Sequence, residues 1–199
     1  IQGRARLTGP NTIEVDLVAG SKTTVNAEYI VLATGSRPIT IPNQPESPRI
    51  MDSTAALELP DIPNKLLVVG GGYIGLELGS VYNALGSKVT VVEMASNLLN
   101  GIDRDMVRIL SKRLNQDFEA ILTDTKVASL EDIGDSVRVK LEGDKVTEPE
   151  QTFDRVLVAV SRRPNTENLG LENTKVRIGD DGFVEVDQQL RTAEANIFA

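Results

Sequence analysis

Leu66-Leu67-Val68-Val69-Gly70-Gly71-Gly72-Tyr73-Ile74-Gly75 joins an apolar run to a glycine-rich turn, and a second apolar run, Val89 to Val92, ends on Glu93, 18 residues past the last of those glycines. The order is strand, glycine turn, helix, strand, carboxylate. Each part has a task in holding a dinucleotide. The first glycine permits the tight turn, the second lets backbone approach a pyrophosphate, and the third lets the helix pack close to the sheet. The acid at the end of the next strand accepts hydrogen bonds from a ribose. A lone GxGxxG is weak evidence; with both strands, the helix and the acid at this spacing, the signal is strong.

The bulk properties narrow the class. A chain of 199 residues suits one or two domains with a substantial core. Its net charge of -8 and lack of a basic cluster argue against nucleic-acid binding. No apolar stretch approaches the roughly 20 residues that span a bilayer. The longest, Leu66 to Leu76, contains four glycines and belongs to the turn. Residue 1 is isoleucine, so a processed or excised chain is expected. There is no cysteine and no histidine. Thiol redox chemistry, the commonest general base and the commonest metal ligand are therefore absent, and neither catalytic residues nor a metal site is expected within this stretch.

Around the central motif the segments alternate. Thr12 to Val18, Lys22 to Asn26 and Tyr29 to Ala33 read as strands, and the last of these stops at Thr34-Gly35-Ser36-Arg37-Pro38. A connector with Pro42, Pro45 and Pro48 follows. Asp52-Ser53-Thr54 predicts the cap of a short helix that Pro60 and Pro63 stop. The helix after the glycine turn places Ile74, Leu78, Val81 and Leu85 on one face, with Gly75 and Gly79 as a smooth stripe. Asp103 is the candidate N-cap of a further helix whose buried side is Met106, Leu110 and Leu114. Thr125 to Leu130 and Ser136 to Leu141 predict an antiparallel excursion, Phe153 to Val160 a buried strand, and Phe183 to Val186 a strand after the Asp180-Asp181-Gly182 turn. The fold expected is α/β, Rossmann-like: a parallel sheet with helices, plus an antiparallel β excursion.

Several residues admit two readings. Glu77, placed by spacing in the first turn of the helix, serves either the helix dipole or the nicotinamide end of a cofactor. Arg162 and Arg163, after a buried strand, are either solvated or ligand contacts. Thr34-Gly35-Ser36 occupies a similar place after its own strand. Glu93 would repel a 2′-phosphate, and Met94, Ala95 and Ser96 bring no arginine, which favours NAD over NADP.

These motifs together resemble the pyridine nucleotide–disulfide oxidoreductase family over essentially the whole chain, its bacterial lipoamide dehydrogenases most of all. Ala33 to Pro38 resembles the second flavin-contacting turn, Gly70 to Gly75 with Glu77 the NAD motif, and Val91-Val92-Glu93 the ribose strand. Thr125-Lys126-Val127 resembles the segment whose valine meets the adenine, and Ser161 to Thr166 the turn near the nicotinamide. Asp181 to Thr192 and Ile197-Phe198-Ala199 resemble the return into the flavin domain. The resemblance implies partial flavin-domain segments at 1–44 and 166–199 around an NAD-binding domain at 45–165. It implies that the intact enzyme reoxidises protein-bound dihydrolipoamide and passes hydride from FAD to NAD⁺. Its NAD contacts would be Gly70, Gly71, Gly72, Tyr73, Ile74, Gly75, Glu77, Glu93, Val127, Ser161 and Arg162. Its FAD contacts would be Ala5, Thr34, Gly35 and Ser36.

The family's flavin glycine motif and redox cysteines would precede residue 1, and its dimer domain would follow Ala199. Ser161 and Ala5 stand where the family usually has glycine. The implied setting is the bacterial cytoplasm, as a homodimer serving the dihydrolipoyl acyltransferase of a 2-oxoacid dehydrogenase complex. Two alternatives stand beside this: a noncatalytic fragment that at most binds NAD(H), and a related NADH-dependent flavoenzyme such as an NADH oxidase or another disulfide reductase.

Overall fold

Leu66 to Val69 and Val156 to Val158 are apolar at consecutive positions, so the sheet they build needs cover on both faces. The computed structural model describes residues 1–59 and 61–199 and supplies that cover; Pro60, expected to help stop the short helix, lies outside the described residues. In chain order the strands and helices begin with β1 (Gly3–Gly9), β2 (Thr12–Leu17), β3 (Lys22–Asn26), β4 (Ile30–Val31) and β5 (Ser36–Pro38). Next come β6 (Ile50–Met51), α1 (Ser53–Leu57), β7 (Lys65–Val69), α2 (Tyr73–Ala84), β8 (Lys88–Val92) and α3 (Arg104–Asp117). Then follow β9 (Ala120–Leu122), β10 (Lys126–Asp132), β11 (Val137–Glu142), β12 (Glu150–Phe153) and β13 (Arg155–Val158). After β14 (Arg162–Pro164) a single 3-10 turn, Leu171–Asn173, precedes β15 (Ile197–Phe198). The chain forms two compact units, and the second, Pro38–Arg162, is inserted into the first, Ile1–Arg37 with Arg163–Ala199.

The inserted unit is built on a five-stranded sheet of order β6-β13-β7-β8-β9 in which every pairing is parallel. Alternation sends Leu66, Val68, Val89, Val91 and Leu157 to the helix side, where they meet Leu76, Tyr82, Val107 and Leu114. Leu67, Val69, Val92, Val156 and Val158 face the other way, against Val137, Val139 and Leu141 of the antiparallel sheet β10-β11-β12. The result is three layers, with the expected excursion forming the third. Short elements that carry little periodicity, β6, β9 and β12, were not legible from pattern, although they complete the sheets.

Two helix faces differ from expectation. In α2 the buried residues are Gly75, Leu76, Leu78, Gly79 and Tyr82, while Val81 and Leu85 are 45% and 50% exposed. The glycine stripe itself seats the helix, and the Tyr82 hydroxyl donates to the Ala56 carbonyl at 2.9 Å, which turns the buried face toward α1. In α3 it is Val107 and Leu114 that are buried, whereas Met106 is 64% exposed. Leu114 is buried as expected and Leu110 is 39% exposed, so the buried edge runs along Val107 and Leu114, turned by about 50° from the expected face. Asp52 caps α1 as expected, its Oδ1 accepting from the Thr54 and Ala55 N–H groups at 2.9 Å each. Asp103 stands at the N-cap of α3 without a side-chain capping bond.

The outer unit holds the antiparallel meander β1-β2-β3 and the parallel pair β15-β4. Its own core is Leu7, Ile30, Leu171 and Ile197. Of the expected run Tyr29 to Ala33, only Ile30 is buried, and Val31 is 71% exposed. The strand expected at Phe183 to Val186 is reduced to one bridge, Ile178 to Val184. Among the described residues no helix is long and apolar enough to cross a membrane.

Candidate functional site

The inserted sheet reverses direction of growth at β7, because the chain adds β8 and β9 on one side and β13 on the other. Ligands of open α/β sheets bind beyond the carboxyl ends of the strands at such a switch point. A cavity of about 720 Å³ opens there, lined by Gly70, Gly71, Gly72, Tyr73, Glu93 and Val127 among others. Its size falls within the range of roughly 300–1,000 Å³ usual for ligand pockets.

The glycines divide their work. Gly70 has φ +111° and would put a Cβ 2.5 Å from the Ala159 carbonyl oxygen at the end of β13. A Cβ on Gly75 would lie 2.2 Å from the Gly70 carbonyl oxygen and 3.0 Å from Val68 Cγ1, so this glycine seats the helix. A Cβ on Gly72 would meet nothing within 4 Å, and the space it would enter is the cavity's. Gly72 is also the N-cap of α2, with extended backbone and no side-chain capping bond. The first N–H groups of a twelve-residue helix and the positive end of its dipole therefore face a space suited to an anion.

Glu93 does more than end a strand. One carboxylate oxygen accepts the Gly71 N–H and the other the Ala95 N–H, both at 2.7 Å. Each oxygen retains a lone pair for another donor. The acid thus fixes the turn while remaining able to accept from a ligand hydroxyl. The Gly71 carbonyl is held as well, by the Leu99 N–H at 2.9 Å.

Leu99 belongs to a wall that sequence reading missed. It has φ +49°, a left-handed conformation that costs a leucine energy unless its surroundings enforce it. Arg104 does so: its guanidinium donates to the carbonyls of Leu98 (3.2 Å), Leu99 (2.8 Å) and Ile102 (2.7 Å). Leu99 and Ile102 line the cavity. No local pattern marks this wall, since an arginine that gathers three carbonyls looks like any helix-start arginine in the sequence. Arg104→Ala is expected to release it. Amide hydrogen exchange at Leu99 should then accelerate about tenfold, the equivalent of one hydrogen bond; an unchanged rate would show that the wall stands without Arg104.

The remaining predicted residues lie elsewhere. Ile74 packs against the helix-side core, Gly75 is buried under the helix, and none of Ile74, Gly75, Glu77, Ser161 and Arg162 lines the cavity. Glu77 is exposed and lies past the first turn, because the helix starts only at Tyr73. Ser161 is exposed, and its carbonyl accepts the Ile39 N–H at 3.2 Å. Arg162 is half-buried and donates to Ser53 Oγ at 3.3 Å.

In the outer unit Asn165 holds the Thr34-Gly35 turn, its N–H donating to the Gly35 carbonyl and its side-chain amide to that of Thr34, each at 3.0 Å. Gly35 has φ +69°, and a Cβ there would meet nothing within 4 Å. Ala5 and Thr34 line a cavity of about 290 Å³; Gly35 and Ser36 do not. Arg37 donates to Asn165 Oδ1 (2.9 Å) and grips both oxygens of Glu167. That pairing, led by the Arg37 hydrogen bond, holds the Glu167 carboxyl down at about 2.

A family described as "Pyridine nucleotide-disulphide oxidoreductase" matches residues 1–199. The chain is 46% identical over 200 residues to a dihydrolipoyl dehydrogenase of Vibrio cholerae and 42% identical over 199 residues to one of Geobacillus stearothermophilus. In both cases the match covers 100% of this chain and 42% of the relative, so the chain spans less than half the length of these enzymes. Among solved structures it is similar to LpdA from Mycobacterium tuberculosis, with a TM-score of 0.87 at 28% identity, covering 100% of this chain and 44% of that one. The HOCl-induced flavoprotein disulfide reductase RclA from Escherichia coli gives a TM-score of 0.85 at 29% identity, with the same coverage.

Proposed function

Because the chain belongs to the pyridine nucleotide–disulphide oxidoreductase family, we propose that it is the NAD-binding portion of a flavin-dependent dihydrolipoyl dehydrogenase. The observation that carries this reading is the cavity at the strand switch point, where an uncapped helix start and a doubly anchored Glu93 meet. These residues fit a pyridine dinucleotide. Gly70, Gly71, Gly72, Tyr73 and Ile74 would cradle the pyrophosphate while Gly75 lets the helix sit close enough. Glu93 would accept from the adenosine ribose, and Val127 would line the adenine. Glu77, Ser161 and Arg162 would stand toward the nicotinamide. We assign residues 45–165 to this NAD-binding domain and 1–44 with 166–199 to a flavin domain; the compact units, which change over at 37/38 and 162/163, support that division.

Ala5, Thr34, Gly35 and Ser36 would contribute to FAD. The open space at Gly35 fits a close approach, and the cavity beside Ala5 and Thr34 is sized for part of such a molecule. Bound flavin and nicotinamide supply the hydride transfer. This chain's residues bind and orient: the helix start neutralises phosphate charge, Glu93 fixes the ribose, and Arg104 keeps the wall of the site in place. With no cysteine or histidine of its own, the stretch contributes binding rather than thiol exchange or proton transfer by imidazole. The whole enzyme would act in the bacterial cytoplasm, as a homodimer, on the dihydrolipoyl acyltransferase of a 2-oxoacid dehydrogenase complex.

Calorimetric titration with NADH, NADPH and FAD tests the assignment. Saturable NADH binding, tighter than NADPH, is expected; a protein that takes up neither nucleotide overturns it. The likeness to RclA favours one second reading, a related flavoprotein disulfide reductase with a different disulfide substrate. Turnover of dihydrolipoamide by the full-length enzyme separates the two.

A further inference from the structure

Lys126 opens β10 immediately after Thr125, whose N–H donates to the Glu93 carbonyl at 3.0 Å. It therefore stands next to the acid proposed to hold the ribose, and it lines the same cavity of about 720 Å³. It is not an idle cation. Its Nζ lies 2.8 Å from Oε2 of Glu142, its cross-strand register partner on β11. Lys126 and Glu142 together line a shallower hollow of about 270 Å³ that shares Met94, Thr125 and Lys126 with the main cavity. Asp124 lines the same hollow and pairs with Lys145 at 3.2 Å. At this end of the site both ammonium groups are matched to carboxylates, and Glu93 adds a further negative charge.

We propose that the Lys126–Glu142 pair is a cofactor-selectivity element: Glu142 occupies Lys126, the one cation that lines the cavity among the described residues and could otherwise receive a 2′-phosphate. The inference rests on the dinucleotide reading above and deepens it, from which nucleotide class binds to what excludes the phosphorylated form. A 2′-phosphate beside Glu93 meets like charge and finds Lys126 already engaged. The pair is half-exposed, at 56% and 49%, so it is a weak contact that a competing anion can replace once Glu142 is neutral. Glu142 lies outside the lining of the main cavity, which leaves the NAD ribose contact to Glu93. If the pair served only to pin β10 to β11, its loss would change stability slightly and leave cofactor preference alone.

The test is fluorescence titration with NADH and NADPH of the wild type, Glu142→Gln, Lys126→Met and the double variant, at low and high salt. Glu142→Gln should tighten NADPH binding about two- to fivefold, as expected for one partly exposed charge contact, while NADH affinity stays within about 1.5-fold. The gain should vanish in the double variant and shrink at high salt, where exposed charges are screened. An unchanged NADPH-to-NADH ratio in Glu142→Gln, with wild-type NADH binding intact, overturns the selectivity role alone. So does a gain that survives the loss of Lys126. A wild type that binds no NADH at all would remove the dinucleotide reading, and this inference with it.

Discussion

Gly75→Ala is expected to destabilise the inserted unit by about 3 kcal/mol or more, at the upper end of the usual cost of overpacking. The added Cβ would sit 2.2 Å from the Gly70 carbonyl oxygen, and neither side can retreat easily. Gly70 is tied by its N–H to the Val92 carbonyl at 2.8 Å, and the space behind it is filled by the end of β13. The helix must lift off the sheet, opening the core beneath Leu76 and Tyr82. Urea denaturation measures this, and a loss below about 1 kcal/mol would show that the seat is softer than the close approach implies. Gly72→Ala is the informative comparison. There the Cβ enters open space at an extended N-cap, so stability should fall by only about 0.5–1 kcal/mol, the preference of that position for glycine over alanine. Its larger cost should appear in NADH affinity, because Gly72 lines the cavity.

Glu93→Ala should lower NADH affinity about 30- to 100-fold and stability by about 2 kcal/mol, because it removes a ribose acceptor and the anchor of the turn together. Charge-assisted bonds to two backbone N–H groups disappear at once, and Gly71 loses one of its two tethers. Titration and denaturation must be read side by side. A stability loss with intact affinity would make Glu93 an anchor of the turn only. Unchanged values in both would sink its assignment to the site.

The central strands β7, β8 and β13, the glycine turn and Glu93 at its strand end were legible in the sequence because each follows from local pattern: consecutive apolar residues, glycine spacing, and an acid at a strand end. The antiparallel excursion was legible for the same reason, through alternation at Val137, Val139 and Leu141. What pattern could not supply was rotation and reach. In α3 Leu114 is buried as expected, but Val107 takes the core position beside it while Met106 and Leu110 are exposed. The wall at Leu99 depends on an arginine gathering carbonyls from a loop, and Lys126 gains its interest only when its strand is brought beside Glu93. Expected nicotinamide-side residues such as Ser161 belong to segments after the buried strand, and the cavity lining does not include them.

The insertion of one unit within the other also bears on the order in which the chain can fold as it is synthesised. Every residue of the inserted unit has been made once Arg162 is added, so it can fold on emerging from the ribosome. The outer unit cannot. Its strand β4 waits for β15, pairing Ile30 with Ile197, and its core waits for Leu171. Until then Leu7 and Ile30, made before the inserted unit, lack the partners they meet in the folded outer unit. Those long sequence separations make the outer unit the slower to form and the more exposed to misassembly during translation.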